Sequence, residues 1–263
     1  MKPIIQSVTL MVENMDEMKH FYQHILGFQV ILQTANEVHL SANGKDVLLI
    51  LEHDADALPN NRYGVGLYHI AYLLPTRSDL ANVLAYFLEK RIPLQGASDH
   101  GVSEAIYLAD PEGNGIEIYV DRPRSKWNWN GNQVEMITAP LDVRRVLNEA
   151  TQTWSQFPDE TIIGHIHLQV ADIQETEKFY QEILAASTML HFGEQALFMS
   201  RDGYHHHFGM NTWNSHDKTP LDGVHYGLKS FALLVDGKWE SEMKTTSTTL
   251  TDPSGIQIQL IKG

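Results

Sequence analysis

The residues in this sequence that are best suited to chemistry are its histidines. The chain has 14 histidines and no cysteine, so a transition-metal site would have to use imidazole and carboxylate ligands. His165 stands out by its position. It begins the segment 165–185, which repeats the segment 7–27 at a distance of 158 residues, and the earlier copy has Ser7 at that place. A residue able to bind a metal therefore occurs in only one copy of a repeated unit.

The two copies agree in the residues that would form a strand and a helix. Ser7–Val12 alternates enough to predict a strand, and the apolar residues from Met15 to Leu26 have helical spacing, with Gly27 as a C-terminal stop. The stretches 28–34, 38–41 and 47–51 then predict three strands, which completes a βαβββ unit. Eight of the 21 paired positions are identical: Leu10/Leu168, Val12/Val170, Glu17/Glu175, Phe21/Phe179, Tyr22/Tyr180, Gln23/Gln181, Ile25/Ile183 and Leu26/Leu184.

This order of elements occurs four times along the chain. Unit two begins at GLYHIAYLLP (66–75), unit three at the repeated segment and unit four at GLKSFALLVD (227–236). From its first strand to its Asp-Pro turn, unit four is 19 residues shorter than unit two. Either its helix is absent, or a loop has been left out of the sequence. We expect one pair of units in residues 1–122, a connector in 123–162 and a second pair in 163–263.

The motifs resemble those of the vicinal-oxygen-chelate superfamily, which includes glyoxalase I, bleomycin-resistance proteins and extradiol ring-cleaving dioxygenases. The resemblance covers nearly the whole chain. The segments GLYHIAYLLP, DPEGNGIEIYVDRP, ITAPLDV, GHIHLQVADI and GYHHHFGMNTW are similar to the branch of bacterial catechol 2,3-dioxygenases. The resemblance implies an α+β fold in which four βαβββ modules form two half-open barrels.

The resemblance also implies where a divalent metal would bind, because members of the superfamily hold it inside a barrel with ligands from the first and last strands. If units pair in chain order, each barrel has an incomplete ligand set. If unit two pairs with unit three, His69, Glu117 and His165 meet in one barrel, and we expect this crossed pairing. The alternative is that each histidine is an ordinary hydrogen-bonded core residue. The matched positions are Ser7, His69, His165 and Ser230 on the first strands, and Glu117 and Gln259 on the last strands.

A run of three histidines gives a second group of candidates. Residues 204–207, Tyr-His-His-His, follow a turn and predict the start of the last strand of unit three. On a strand, His206 would face the same side as Phe208 and Met210. In extradiol dioxygenases a histidine on this strand acts as an acid and base, and the match falls on His206 or His207, with His206 preferred. The alternative is a solvent-facing strand end.

What the resemblance implies is a cytoplasmic extradiol dioxygenase that opens the ring of a small aromatic diol with O₂. Its cofactor would be a divalent metal, Fe(II) in the first place, with Mn, Ni or Zn as alternatives. Two other functions stay open. One is a glyoxalase-like lyase or isomerase using Ni or Zn, which would need a fourth ligand from the histidine run. The other is a non-catalytic binding protein of the bleomycin-resistance type.

Composition argues against several other classes of protein. A formal net charge of −14 opposes binding to nucleic acid or to an anionic membrane. No apolar run approaches the roughly 20 residues that a membrane-spanning helix needs, and the first residues lack the apolar segment of a signal peptide. The absence of cysteine fits a reducing cytoplasm. Sheet edges and the habit of the superfamily lead us to expect a homo-oligomer.

Overall fold

The computed structural model describes residues 4–59, 64–220 and 222–263. In unit one, the first helix is capped by Asn14, whose side chain accepts the N–H of Glu17. The helix continues as a π-helical turn over Phe21–Leu26 and ends at Gly27, where φ is 90°. The predicted helix and its stop are therefore confirmed. Unit one consists of β1 (Ile5–Met11), α1 (Met15–His20), β2 (Gln29–Gln33), β3 (Glu37–Ser41) and β4 (Val47–Glu52).

Unit two has the complete predicted order of elements. Its helix starts with a capping box between Thr76 and Asp79 and buries Leu84 and Phe87 in the core. Within the described ranges, no helix is both long enough and apolar enough to cross a membrane. Unit two consists of β5 (Gly66–Leu73), α2 (Arg77–Lys90), β6 (Gly96–Asp99), β7 (Ser103–Ala109) and β8 (Gly115–Asp121).

The connector packs on the helices of both units that precede it. Asn82 on α2 accepts the N–H groups of Thr151 and Gln152 at 2.8 and 3.1 Å. Trp154 donates from Nε1 to the carbonyl of Leu26 at 3.1 Å, at the end of the first helix. These contacts carry the chain across units one and two before unit three begins. The connector contains β9 (Trp129–Asn130), β10 (Gln133–Val134), β11 (Ala139–Pro140) and α3 (Val143–Leu147).

Unit four is the reduced copy of the repeat. Its helix has six residues, against 14 in α2, and only two strands follow it in the described part of the chain. The helix is therefore shortened and not absent. It persists because Asp236 caps its start and Trp239 is buried. Units three and four consist of β12 (Ile162–Gln169), α4 (Ile173–Glu182), β13 (Ser187–Phe192), β14 (Ala196–Ser200), β15 (Phe208–Asn211), β16 (Gly227–Val235), α5 (Gly237–Glu242), β17 (Thr249–Thr251) and β18 (Gln257–Lys262).

The predicted start of the last strand of unit three is wrong. Strand β15 begins after the histidine run, so residues 204–207 lie in the loop that precedes it. Asp202 and Gly203 both have left-handed φ angles, 55° and 64°, and they turn the chain into a wide loop. The loop is closed by a side chain, because His207 Nδ1 accepts the N–H of Arg201 at 3.1 Å. Strand alternation therefore does not decide which way these histidines face.

The order of strands shows how the units pair. The main sheet runs β11-β6-β7-β8-β5-β12-β1-β16-β18-β17. Strand β5 of unit two is antiparallel to β12 of unit three, and β1 of unit one is antiparallel to β16 of unit four. The crossed pairing is therefore confirmed, as is the α+β fold class. The division into two half-open barrels and the boundaries at 122 and 163 stay predictions, since one sheet runs through both halves.

Two buried hydrogen bonds repeat between helices and turns. Tyr22 donates to Asp110 at 3.0 Å, and the equivalent Tyr180 donates to Asp252 at 3.4 Å. Each tyrosine lies on the helix of an odd-numbered unit, and each aspartate begins the Asp-Pro turn of the next unit. The repeated sequence motifs are thus explained by a contact that ties unit one to unit two and unit three to unit four.

Candidate metal centre

Three adjacent strands bring the predicted metal ligands together. Strand β5 lies between β8, which is parallel to it, and β12, which is antiparallel. Ala71 on β5 is the register partner of Glu117 on one side and of His165 on the other. His69 lies two residues earlier and therefore on the same face of β5. All three side chains are buried, with 7% of His69, 3% of Glu117 and 2% of His165 exposed.

The ligand atoms of this triad lie close enough to share one ion. His69 Nε2 is 3.0 Å from Glu117 Oε2, and His165 Nε2 is 3.2 Å from the same oxygen. The two Nε2 atoms are 3.3 Å apart. Two ligands at about 2.1 Å from a metal and at right angles to each other would be about 3 Å apart. Among the described residues, no other three such side chains converge in this way.

Burial and mutual contact set the charge of the triad. Burial alone would raise the pKa of Glu117, but His165 and His69 outweigh it and hold this pKa well below its usual value. Burial lowers the pKa of His165 to about 4, although Glu117 acts in the opposite direction. At neutral pH the site therefore holds an ionised carboxylate beside a neutral imidazole. Divalent metals bind these protonation states.

A further row of polar groups lies behind the carboxylate. The hydroxyl of Tyr107 faces Glu117, and it lies 2.6 Å from His100 Nε2. Burial and the charge of Glu117 raise the pKa of Tyr107, so its hydroxyl stays protonated. His100 donates from Nδ1 to the carbonyl of Ile137 at 2.8 Å. Polar groups therefore extend from the carboxylate to the connector.

The triad lies in the wall of a cavity of about 1340 Å³. The connector covers part of it through residues 136–138. The remaining wall is a mixture of aromatic and polar side chains. Six histidines are among them: His53, His69, His100, His165, His167 and His206. The aromatic members include Tyr68, Tyr107, Phe192, Phe198, Trp213 and Tyr226.

The histidine run is buried, and its members have different surroundings. His206 lines the cavity, and its ring centre is 4.1 Å from that of His165. His205 is enclosed and contacts Asp121 at 2.9 Å. His207 is turned toward the Ser200 hydroxyl, 3.0 Å from its Nδ1, and does not line the cavity. Of the two predicted acid and base candidates, the structure places His206 beside the triad.

His167 lines the same cavity as the triad, but its Nε2 is hydrogen-bonded to another side chain. Asn211 donates from Nδ2 to His167 Nε2 at 3.0 Å. The ring also lies among those of Tyr68 and Trp213, with centroid distances of 4.9 and 5.8 Å. Burial, followed by the neighbouring His69, lowers the pKa of His167 well below its usual value. A wall position fits these contacts better than ligation.

Of the remaining site residues, one could have been found from the sequence and one could not. Tyr107 is the register partner of Glu117 across the β7–β8 hairpin. Counting back from the turn at 110–115 would have found it. Asp121 gave no such signal, because its partner His205 comes from a loop of another unit.

Comparison with known proteins defines the class to which this fold and site belong. A model of the Glyoxalase/Bleomycin resistance protein/Dioxygenase superfamily matches residues 4–118. A curated relative is 42% identical over 240 residues, which cover 89% of this chain and 83% of that protein. The chain therefore belongs to this superfamily. The relative is catechol-2,3-dioxygenase of Bacillus subtilis (strain 168). Biphenyl-2,3-diol 1,2-dioxygenase 2 of Rhodococcus globerulus is 26% identical over 45% of this chain and 63% of its own length.

Solved structures agree on the fold. The cppA protein of Streptococcus pneumoniae TIGR4 matches with a TM-score of 0.59 and 13% identity, covering 100% of this chain and 99% of that one. Glyoxalase I from Zea mays matches with a TM-score of 0.54 and 11% identity, covering 99% and 92%. At such low identity these likenesses show a shared fold and nothing about the reaction.

Proposed function

We propose that this protein is an extradiol dioxygenase that opens the ring of a small catechol-like diol with O₂. One divalent metal would be held by His69, Glu117 and His165. The observation that carries the proposal is the convergence of their three ligand atoms within 3.3 Å of one another in the wall of a large cavity. The similarity to catechol-2,3-dioxygenase supports it.

The donor set fits Fe(II). Two imidazoles and one carboxylate on one face leave further coordination positions open, as non-haem Fe(II) oxygenases require. We therefore prefer Fe(II) to Mn, Ni or Zn. When bound, the metal would acidify the diol and orient both substrates.

The position of His206 supports a role in exchanging a proton with the diol. It lines the same cavity as the triad, next to His165. Burial lowers the pKa of His206 well below its usual value, so it is a neutral imidazole at neutral pH and can accept a proton. His207 has its Nδ1 engaged by the N–H of Arg201. We therefore assign the acid and base role to His206.

The cavity suits an aromatic ring that carries a substituent. Tyr68 and Trp213 form an edge-on pair with ring centres 5.3 Å apart, and His167 contacts both of these rings and His69. Aromatic side chains in this geometry favour a flat, apolar ligand. The volume of about 1340 Å³ exceeds the roughly 300–1,000 Å³ of ordinary ligand pockets. A substituted catechol is therefore the proposed substrate class.

The decisive experiment combines metal content with oxygen consumption. Protein purified without chelator is expected to contain about one metal per chain. After anaerobic reconstitution with Fe(II), it should consume O₂ with catechol and form a coloured ring-opened semialdehyde. His165→Ala should lose stoichiometric metal, and the matched control His167→Ala should keep it.

Two results would overturn the proposal. Bound Ni or Zn without O₂ uptake would favour a lyase or isomerase. If His165→Ala binds catechol as well as the wild type does, and without any metal, the protein would be a binding protein.

We also propose a homo-oligomer that works in the cytoplasm and binds neither nucleic acid nor membranes. Strand β2 pairs only with β3 in the described sheet, and it exposes Ile31 and Leu32. Such an apolar edge favours association between copies. The net charge of −14 and the absence of cysteine support the other parts. Light scattering after size-exclusion chromatography tests the oligomer.

A further inference from the structure

A chain of hydrogen bonds leads from His206 away from the cavity. Nδ1 of His206 lies 2.8 Å from Nδ1 of His205, and Nε2 of His205 lies 2.9 Å from Oδ1 of Asp121. His205 is fully buried, whereas 25% of the Asp121 side chain is exposed. Asp121 lines a separate small recess, together with Arg122, Arg124 and Trp127. This chain of hydrogen bonds therefore has one end in the cavity and the other at the solvent.

We propose that Asp121 and His205 form a proton relay that fixes the tautomer of His206 and connects it to solvent outside the cavity. This inference rests on the proposed function, in which His206 exchanges a proton with the diol. Asp121 and His205 would be positioning and relay residues, since neither lines the cavity.

The direction of each hydrogen bond follows from what each group can donate. An ionised carboxylate only accepts, so Nε2 of His205 must carry the proton that it shares with Asp121. A neutral imidazole has one donor and one acceptor nitrogen, so Nδ1 of His205 accepts. His206 must then donate from Nδ1, which leaves its Nε2 as an unprotonated acceptor. That nitrogen is the one free to serve the cavity.

Proton transfer along this chain balances. A proton taken from the diol forms a new N–H bond at Nε2 of His206, while the proton on its Nδ1 passes to Nδ1 of His205. The proton on Nε2 of His205 then passes to Asp121. One proton enters and one reaches the exposed carboxylate, with no change in the number held by either histidine. The reverse passage restores both tautomers when a proton must return to the substrate.

Two tyrosines hold the carboxylate at the end of the relay. Tyr204 donates to Asp121 Oδ1 at 3.1 Å, and the hydroxyls of Tyr119 and Tyr204 are 2.7 Å apart. Gly164 leaves room for the Tyr119 hydroxyl, because a Cβ at position 164 would lie 1.8 Å from that hydroxyl. Residues of units two and three therefore hold Oδ1 of Asp121 toward His205.

The tautomers can be measured directly. In the full chain labelled with ¹⁵N-histidine, either metal-free or loaded with diamagnetic Zn(II), long-range ¹H–¹⁵N correlations show which ring nitrogens carry protons. Single-histidine variants assign the signals. We expect a proton on Nε2 of His205 and on Nδ1 of His206. A proton on Nε2 of His206, or on both nitrogens of His205, would overturn the relay.

Two variants separate proton transfer from structure. His205→Phe keeps a ring to pack on Tyr204, whose ring centre is 3.9 Å away, but it removes both nitrogens. We expect a mixture of His206 tautomers and, with Fe(II), a kcat lower by about tenfold or more at a KM changed by less than about twofold. Asp121→Asn still accepts from His205 but cannot take up the proton, so it should keep the tautomers and lose kcat.

The outcomes distinguish the relay from the proposed function. A wild-type kcat in Asp121→Asn would show that Asp121 only positions its neighbour, and it would contradict the relay. If wild-type protein shows no O₂ uptake while the tautomers are as expected, the dioxygenase proposal fails and the hydrogen-bond directions stand. If His205→Phe does not fold, as judged by its melting transition, the wild-type tautomers and Asp121→Asn still decide.

Discussion

Glu117 connects the triad, because its carboxylate meets both histidines and faces the hydroxyl of Tyr107. An oriented carboxylate binds a metal more tightly than a mobile one, because less freedom is lost on binding. Tyr107 is itself held by His100. The residues behind the ligands are therefore expected to influence metal affinity almost as much as the ligands do.

Removing the Tyr107 hydroxyl tests this support. Tyr107→Phe should weaken metal binding by about 10- to 100-fold, because Glu117 loses the polar group behind it that restricts its orientation. Competition with a chromophoric chelator measures the affinity. Tyr72→Phe on β5 is the matched control, since the buried Tyr72 hydroxyl has no partner among the described residues.

The control variant should differ from Tyr107→Phe in both measurements. Tyr72→Phe removes an unpaired buried hydroxyl, so it should keep the metal affinity and raise the free energy of unfolding by about 1 kcal/mol. Equal metal affinities in the two variants would contradict the supporting role of Tyr107.

At the scale of strands, units two and three carry one set of metal ligands. Units one and four have the equivalent positions without those ligands. Ala71 is flanked in register by Glu117 and His165, and the equivalent Ala232 is flanked by Ser7 and Gln259. The strand register at the two places is therefore the same, and the residue types differ. In units one and four, Gln259 donates to Ser230 at 3.4 Å.

A larger side chain at the central alanine should act differently in the two copies. Ala71→Leu would push between two ligands and should abolish stoichiometric metal binding, in addition to an overpacking cost of about 1–3 kcal/mol. Ala232→Leu should have a similar cost in unfolding free energy without loss of metal. Elemental analysis and urea unfolding measure the two effects. Metal retention by Ala71→Leu would contradict the strand register.

The positions of the strand residues could be predicted from sequence because repeats share a register. His69, Glu117 and His165 followed from matched positions once the crossed pairing was assumed. The loop before β15 could not be predicted, because the left-handed turn at Asp202 and Gly203 and the closing contact of His207 depend on tertiary packing. The shortened helix of unit four was equally hidden, since its cap and buried Trp239 have no counterpart at a matched position.

At the scale of the whole molecule, two kinds of contact join the units in different combinations. The strands pair unit two with three and unit one with four. The buried bonds Tyr22–Asp110 and Tyr180–Asp252 join unit one to two and unit three to four. Every unit is thus attached to at least two others, and the site between units two and three depends on units that contribute no ligand.

The helix-to-turn bonds should give the folded chain a defined response to pH. Burial raises the pKa of Asp110 to about 6 from 3.8, while the hydrogen bond from Tyr22 lowers it. The folded state therefore keeps this proton to a higher pH than the unfolded chain does. Its contribution to stability falls as the pH rises from about 4 to about 6. The hydrogen bond limits that fall, because it favours the ionised carboxylate.

Tyr22→Phe should therefore destabilise the protein more at high pH than at low pH. Without the hydroxyl the pKa of Asp110 rises further, so ionisation at pH 8 costs more in the variant than in the wild type. We expect the loss in free energy of unfolding to be about 1.5–3 kcal/mol at pH 8 and smaller at pH 5, measured by urea unfolding. Tyr180→Phe is the matched variant, and its longer bond of 3.4 Å predicts a smaller loss with the same sign. A loss that is constant or that shrinks with rising pH would show that the tyrosine does not act through the carboxylate.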